Sequence, residues 1–322
     1  MKPQDGSESR ASLRASIAGL GLVVAMAATA LGGTDPAIVV NDNGSIVVMN
    51  PNGTSPTVVL SAVQGNGTMH PHFTPDGTQI VFNGNAGGGP GIYVVDRDGT
   101  DLRLVYPLVE QMLYGGPVVS PAPAPDGQVK IAFANVNLGP DDSDLFLINL
   151  NGTGLVNLTN TMNLDEWEPT WSPQGDKLCA SVWSYDTLLY DSYVYELGLV
   201  SGAVAITRAF SLVKVPGSPL QISTSIYPDW ARTQNKILLT VTDLGTGHDQ
   251  WVVDLANLAN PVNLTGDSAR HESSGSWAPD DATIIYHFVG TRKTTGIYRM
   301  NANGSSRTKL SSVGRHPDRR RN

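Results

Sequence analysis

Five stretches of the chain repeat one short pattern: Pro, a variable residue, an aromatic, a small residue, then Pro-Asp-Gly or a near variant, and an apolar strand. The clearest copies are Pro71-His72-Phe73-Thr74-Pro75-Asp76-Gly77 leading into Ile80-Val81-Phe82, and Pro169-Thr170-Trp171-Ser172-Pro173-Gln174-Gly175 leading into Leu178. A third, Gly275-Ser276-Trp277-Ala278-Pro279-Asp280-Asp281, leads into Ile284-Ile285-Tyr286. Weaker copies are Pro121-Ala122-Pro123-Ala124-Pro125-Asp126-Gly127 and Pro228-Asp229-Trp230-Ala231. Behind each copy comes an alternating aromatic strand, a turn, and a strand that closes near Leu-Thr. Asp144-Leu145-Phe146-Leu147-Ile148, the turn Asn151-Gly152 and the ending Leu158-Thr159 show the arrangement. Asn-Gly and Asp-Gly loops supply the positive φ angles that tight hairpins need.

A period of about 50 residues with four short strands in each copy is the sequence form of a β-propeller blade. The expected fold is all-β: a six-bladed β-propeller of four-stranded blades, one blade closed by both termini. Five blades fall at about 71–106, 121–159, 169–207, 228–265 and 275–311, within a propeller that spans 36–318. The sixth combines 37–61 with 316–318. Its strands Ile38-Val39-Val40, Ile46-Val47-Val48-Met49 and Val58-Val59-Leu60 lack an inner strand, and Arg315-His316-Pro317 echoes Met69-His70-Pro71. Such a closure leaves no open sheet edge in the ring. Phe73, Trp171, Trp230 and Trp277 are then core between blades, and Cys179 is a small buried hydrophobe.

Composition narrows the function. A formal charge of −8 excludes a phosphate-binding surface, so no nucleic acid partner is expected. The basic tail at 319–322 reads as a frayed terminus. A single cysteine excludes both an intramolecular disulfide framework and a thiolate zinc cluster. Residues 1–30 have the layout of a secretory signal peptide: Lys2, Arg10 and Arg14, an apolar run, then Ala28-Thr29-Ala30. A periplasmic or secreted monomer is expected, with membrane attachment only through an uncleaved leader. Asn-x-Ser/Thr triplets such as those at Asn151, Asn157, Asn263 and Asn303 coincide with turns or strand ends, and turn chemistry accounts for them.

The Pro-x-Trp-Ser-Pro-Asp-Gly-x-x-Ile-x-Phe run, with its Ile-Tyr strand, Asn-Gly turn and Leu-Thr ending, resembles the repeats of TolB-type β-propellers. The resemblance covers roughly residues 36 to 318. It implies a propeller serving as an envelope docking platform, a peptidase gate or a polysaccharide lyase. The α/β domain that TolB carries ahead of its propeller is not expected before Ile38. No Gly-x-Ser-x-Gly pentapeptide is present, so serine peptidase chemistry is not expected either.

In a propeller, the segments ahead of the inner strands gather at one mouth of the channel. Here they bring His70, His72, Asp165, Glu166, Glu168, Tyr227, Asp229, His271, Glu272 and His316. Imidazole and carboxylate together suit a divalent metal or proton transfer, and lyase relatives use a metal in about this place. His248 and His287 fall elsewhere in their repeats. No coherent catalytic set emerges, so the expected function is a non-enzymatic platform for a protein or glycan partner, without a cofactor. The alternative is a lyase-like, polysaccharide-active enzyme with a divalent metal at the mouth. Two long connections support the platform: Tyr106 to Pro121 with Met112, Leu113 and Tyr114, and Arg208 to Tyr227 with Leu212, Val213 and Leu220. Apolar residues in long loops mark partner contact, unless the loop packs across its own blade.

Overall fold

The computed structural model describes residues 24–26, 38–42, 44–50, 55–61, 71–108, 116–136, 143–220, 224–243, 247–266, 271–289 and 295–311. Among them the chain is strand and turn throughout, without a helix, and hence without a helix long and apolar enough to cross a membrane. The strands form four-stranded antiparallel units in chain order. Unit I holds β1 (Val24–Met26), β2 (Ile38–Asp42), β3 (Ser45–Met49) and β4 (Thr57–Leu60). Unit II holds β5 (His72–Phe73), β6 (Gln79–Asn85), β7 (Pro90–Asp96) and β8 (Arg103–Pro107). Unit III holds β9 (Val118–Val119), β10 (Lys130–Val136), β11 (Ser143–Asn149) and β12 (Val156–Asn157). Unit IV holds β13 (Leu164–Trp171), β14 (Lys177–Ser184), β15 (Leu189–Val200) and β16 (Ala203–Ser211). Unit V (β17, Thr224–Trp230; β18, Lys236–Asp243; β19, Gly247–Asp254; β20, Val262–Asn263) and unit VI (β21, His271–Trp277; β22, Thr283–Val289; β23, Gly296–Asn301; β24, Thr308–Ser311) merge into one sheet. The merger is a single parallel pairing, His248 beside His271.

The repeated motif makes the turn between the first two strands of a unit. Gly77, Gly175 and Asp281 sit at φ +68°, +72° and +55°, and each N–H closes on the carbonyl three residues back. Gly175 is needed twice over, because a Cβ there would stand 2.5 Å from the Ala122 carbonyl oxygen of unit III. The aromatic that precedes the turn is core. Trp171 packs with Val118, Ala132 and Leu145 of the preceding unit, Trp230 with Cys179 and Val194, and Trp277 with Leu238 and Val252. Cys179 has no exposure, and burial pushes its thiol well above the ordinary range.

Three features differ from the sequence reading. Unit III starts at Val118, ahead of Pro121, because the proline-rich run 121–125 lengthens the turn and displaces the motif from its strand; Ser120 N–H still bonds the Lys130 carbonyl. The strand beside β2 is Val24–Met26, inside the run read as leader. An exposed row of N–H and C=O groups along β2 takes whichever extended apolar segment reaches it. The segment 316–318 assigned to that place lies outside the described residues. Finally, Leu212, Val213 and Leu220 of the long 208–227 connection have 0–1% exposure and join the core around Trp230. They pack into the core shared by units IV and V. Met112, Leu113 and Tyr114 lie outside the described residues.

Candidate functional site

The inner strands of units IV, V and VI share one irregularity. Each carries a β-bulge, between Trp167 and Thr170, Ile226 and Asp229, and Ser273 and Ser276. At each bulge one residue is left-handed: Glu168 (φ +52°), Tyr227 (+57°) and Ser274 (+57°). Bulges re-aim backbone groups. Here the turned N–H reaches back to the preceding unit: Tyr227 donates to Ser181 Oγ at 2.9 Å and Ser274 to Thr240 Oγ1 at 3.1 Å. Two residues on, the side chain reaches forward. Thr170 Oγ1 accepts the Trp230 N–H (3.2 Å) and Asp229 Oδ2 accepts the Trp277 N–H (2.7 Å). In unit II, His72 Nδ1 accepts the Val119 N–H (3.5 Å). Val118 has no side-chain acceptor, and its carbonyl takes the Trp171 indole N–H instead at 3.1 Å.

These bonds decide what most of the sequence-selected residues do. His72, Tyr227 and Asp229 are buried and join units to one another. Asp165 is also buried, accepting the Ser143 N–H of unit III (3.1 Å) and the Tyr185 hydroxyl (2.6 Å). Glu166 has no exposure; the Thr161 hydroxyl lies 3.1 and 3.0 Å from its two oxygens and the Tyr195 hydroxyl 3.2 Å from Oε1. Burial, with the nearby Asp144 and Asp165 charges adding to it, raises its pKa to about 8. Glu272 is buried and its carbonyl accepts the Gln250 amide at 2.9 Å. His271 is exposed. His70 and His316 lie outside the described residues.

Three of the selected residues do meet. His72, Glu168 and Asp229, from units II, IV and V, line one pocket with Thr170, Trp171 and Arg232. Sequence reasoning missed Arg232. It stands where the repeat has proline, after Trp230-Ala231, and its Nη2 lies 3.9 Å from Asp229 Oδ1. Its N–H also bonds Oδ1 of Asp281 at 2.7 Å, the residue that replaces the turn glycine in unit VI. Two departures from the repeat in neighbouring units are therefore partners, and that coincidence was the available signal. Among the described residues no group of three or more His, Cys, Asp or Glu side chains is placed to hold a metal ion.

At the end of unit IV where β13 begins, the surface changes character. Trp183 stands opposite Asp165 on one side and Tyr190 on the other. The Trp183 and Tyr190 ring centroids are 4.5 Å apart, and Trp167 meets Tyr190 edge-on at 5.5 Å. All three rings are half-buried. Beside them Met162 is 90% exposed and Leu188 58%. Leu188 is also left-handed, at φ +57°. That conformation costs a non-glycine residue on the order of 1 kcal/mol or more.

Solved structures share the fold of four-stranded antiparallel units. A TolB from Acinetobacter baumannii matches 84% of the chain at 18% identity with a TM-score of 0.61. A TolB from Agrobacterium tumefaciens matches 83% at 16% identity, also at 0.61. The fold is that of a TolB-like β-propeller. The chain spans 62% of the length of the first of these proteins and 88% of the second. An oligogalacturonate lyase from Vibrio parahaemolyticus matches 78% of the chain at 13% identity and a TM-score of 0.50. No protein-family model matches the chain, and no curated protein does.

Proposed function

We propose that this TolB-like propeller is an exported, non-enzymatic binding platform whose ligand is a carbohydrate held at the rim of unit IV. One observation carries the reading. His72, Asp165, Thr170 and Asp229 of the inner strands are committed to joining units, whereas Trp167, Trp183 and Tyr190 present half-buried ring surface at the face where those strands begin. Aromatic surfaces with a few fixed polar groups are the usual make-up of small-ligand sites. Ring faces accept the C–H faces of a pyranose, and the exposed Asp186 carboxylate lies on the same hairpin to accept from its hydroxyls. Leu188, kept exposed at an energetic cost, extends the apolar surface. The experiment is a glycan array followed by calorimetry on the best hit. Trp183→Ala and Tyr190→Ala should each weaken binding about tenfold or more, on the scale of roughly one to three kcal/mol per stacked ring. A protein that binds no glycan, or whose binding ignores both substitutions, sinks the carbohydrate reading; capture of peptides alone would move the platform to a protein partner.

The propeller has six blades in this reading. Unit I is completed by Val24–Met26 in the full chain, and by the His316-Pro317 segment once residues 1–30 are removed on export. The lyase alternative is supported by the fold shared with oligogalacturonate lyases, one of them solved with manganese. It is tested by supplying oligogalacturonate and manganese and following the ultraviolet absorbance of an unsaturated product; sustained turnover would displace the platform.

A further inference from the structure

His248 and His271 belong to different repeats, yet the one parallel pairing between units V and VI sets them side by side. Their ring centroids are 5.4 Å apart at 56°, neither stacked nor hydrogen-bonded to each other. Two imidazoles that share a tetrahedral zinc through Zn–N bonds of about 2.1 Å hold their centroids roughly 5 Å apart. Thr242 Oγ1 lies 2.6 Å from Nδ1 of His248. That bond fixes the ring and leaves Nε2 as the ligating nitrogen, the arrangement in which outer partners orient metal-binding histidines. We propose that His248 and His271 form a two-histidine site for a divalent ion of the zinc, nickel or copper class, clamping unit V to unit VI.

Thr242 and His271 flank the His248 ring, and the Asp249 carboxylate is near it. Asp249 is occupied by Asn263 and Thr265, at 2.9 and 2.8 Å, so the ion would fill its other positions with water or an incoming ligand. Imidazole donors suit zinc, copper and nickel better than magnesium or calcium. The site is separate from the aromatic rim of unit IV and does not depend on the carbohydrate reading.

The probe is zinc chloride added to the metal-free full chain, followed by calorimetry and thermal unfolding. At about pH 7.5 zinc should bind and raise Tm by several degrees, since an ion that binds only the folded state stabilises it by mass action; at about pH 5 the effect should weaken, because protons compete with the ion for nitrogen ligands. His271→Gln, at an exposed position, keeps the fold and should abolish both signals, as should His248→Gln. Thr242→Val keeps both ligands and should weaken binding about tenfold. Absence of zinc binding in the unaltered chain overturns the proposal. So does binding that survives both histidine substitutions, which would assign the ion to other histidines.

Discussion

Glu166 holds its proton where an exposed glutamate would not. Burial lifts its pKa from 4.5 to about 8. Between those values the unfolded chain has ionised this group while the folded chain has not. The folded state therefore binds more protons, and the contribution to stability is complete below pH 4.5 and lost as pH rises through about 8. Glu166→Gln, which cannot ionise, should unfold at a higher temperature at about pH 7.5 and at an unchanged one near pH 4.5. The difference at the higher pH is on the order of 2–4 kcal/mol, since each tenfold change in proton affinity is worth about 1.4 kcal/mol. Thermal scans across that range check it, and a variant less stable at the higher pH would show that Glu166 is ionised in place. Asp229 behaves differently. Asp229→Ala strands the Trp277 N–H and removes the carboxylate beside Arg232, so it should cost about 3 kcal/mol by urea unfolding. Glycan binding at unit IV should be unchanged in the protein that remains folded.

At the scale of elements, the turn, the aromatic and the Leu-Thr ending were legible in the sequence because each is a local requirement for particular residue types. The ending even gains a cause. Asn157 and Thr159 donate to Asp144 at 2.8 and 3.2 Å, and Asn263 and Thr265 repeat this on Asp249. The bulges were not legible. Their left-handed positions hold Glu168, Tyr227 and Ser274, which share no chemistry, and their partners Ser181 and Thr240 lie in the preceding unit. Residues such as His72 and Asp229 thus looked like mouth chemistry because seams between units also need polar side chains. His248 was set aside as falling elsewhere in its repeat for the opposite reason: its neighbour His271 is set by pairing between units, which no local pattern encodes. Ser181→Ala and Thr240→Val should each cost about 1–3 kcal/mol, the penalty of a buried N–H left without its acceptor. Chemical denaturation with unchanged m-values would support loss of one bond in an intact fold.

At the scale of the whole molecule, stability turns on what occupies the edge of β2. A chain beginning at residue 31 should keep cooperative unfolding if the C-terminal segment replaces β1. Removing residues 312–322 as well leaves that edge without either candidate, and the doubly shortened chain should lose several degrees in Tm and bind aggregation-reporting dyes. Equal stability of the two shortened chains would show that the C-terminal segment takes no part. The seam between units V and VI has a consequence of another kind. It is held by backbone pairing at His248 and His271 in addition to side-chain bonds from Asp229, Thr240 and Gln250. Pulled from its two ends, the chain should therefore not come apart blade by blade. Units I to IV should rip singly, and V and VI should yield together in one longer extension, making the joined sheet of units V and VI the mechanical anchor of the chain.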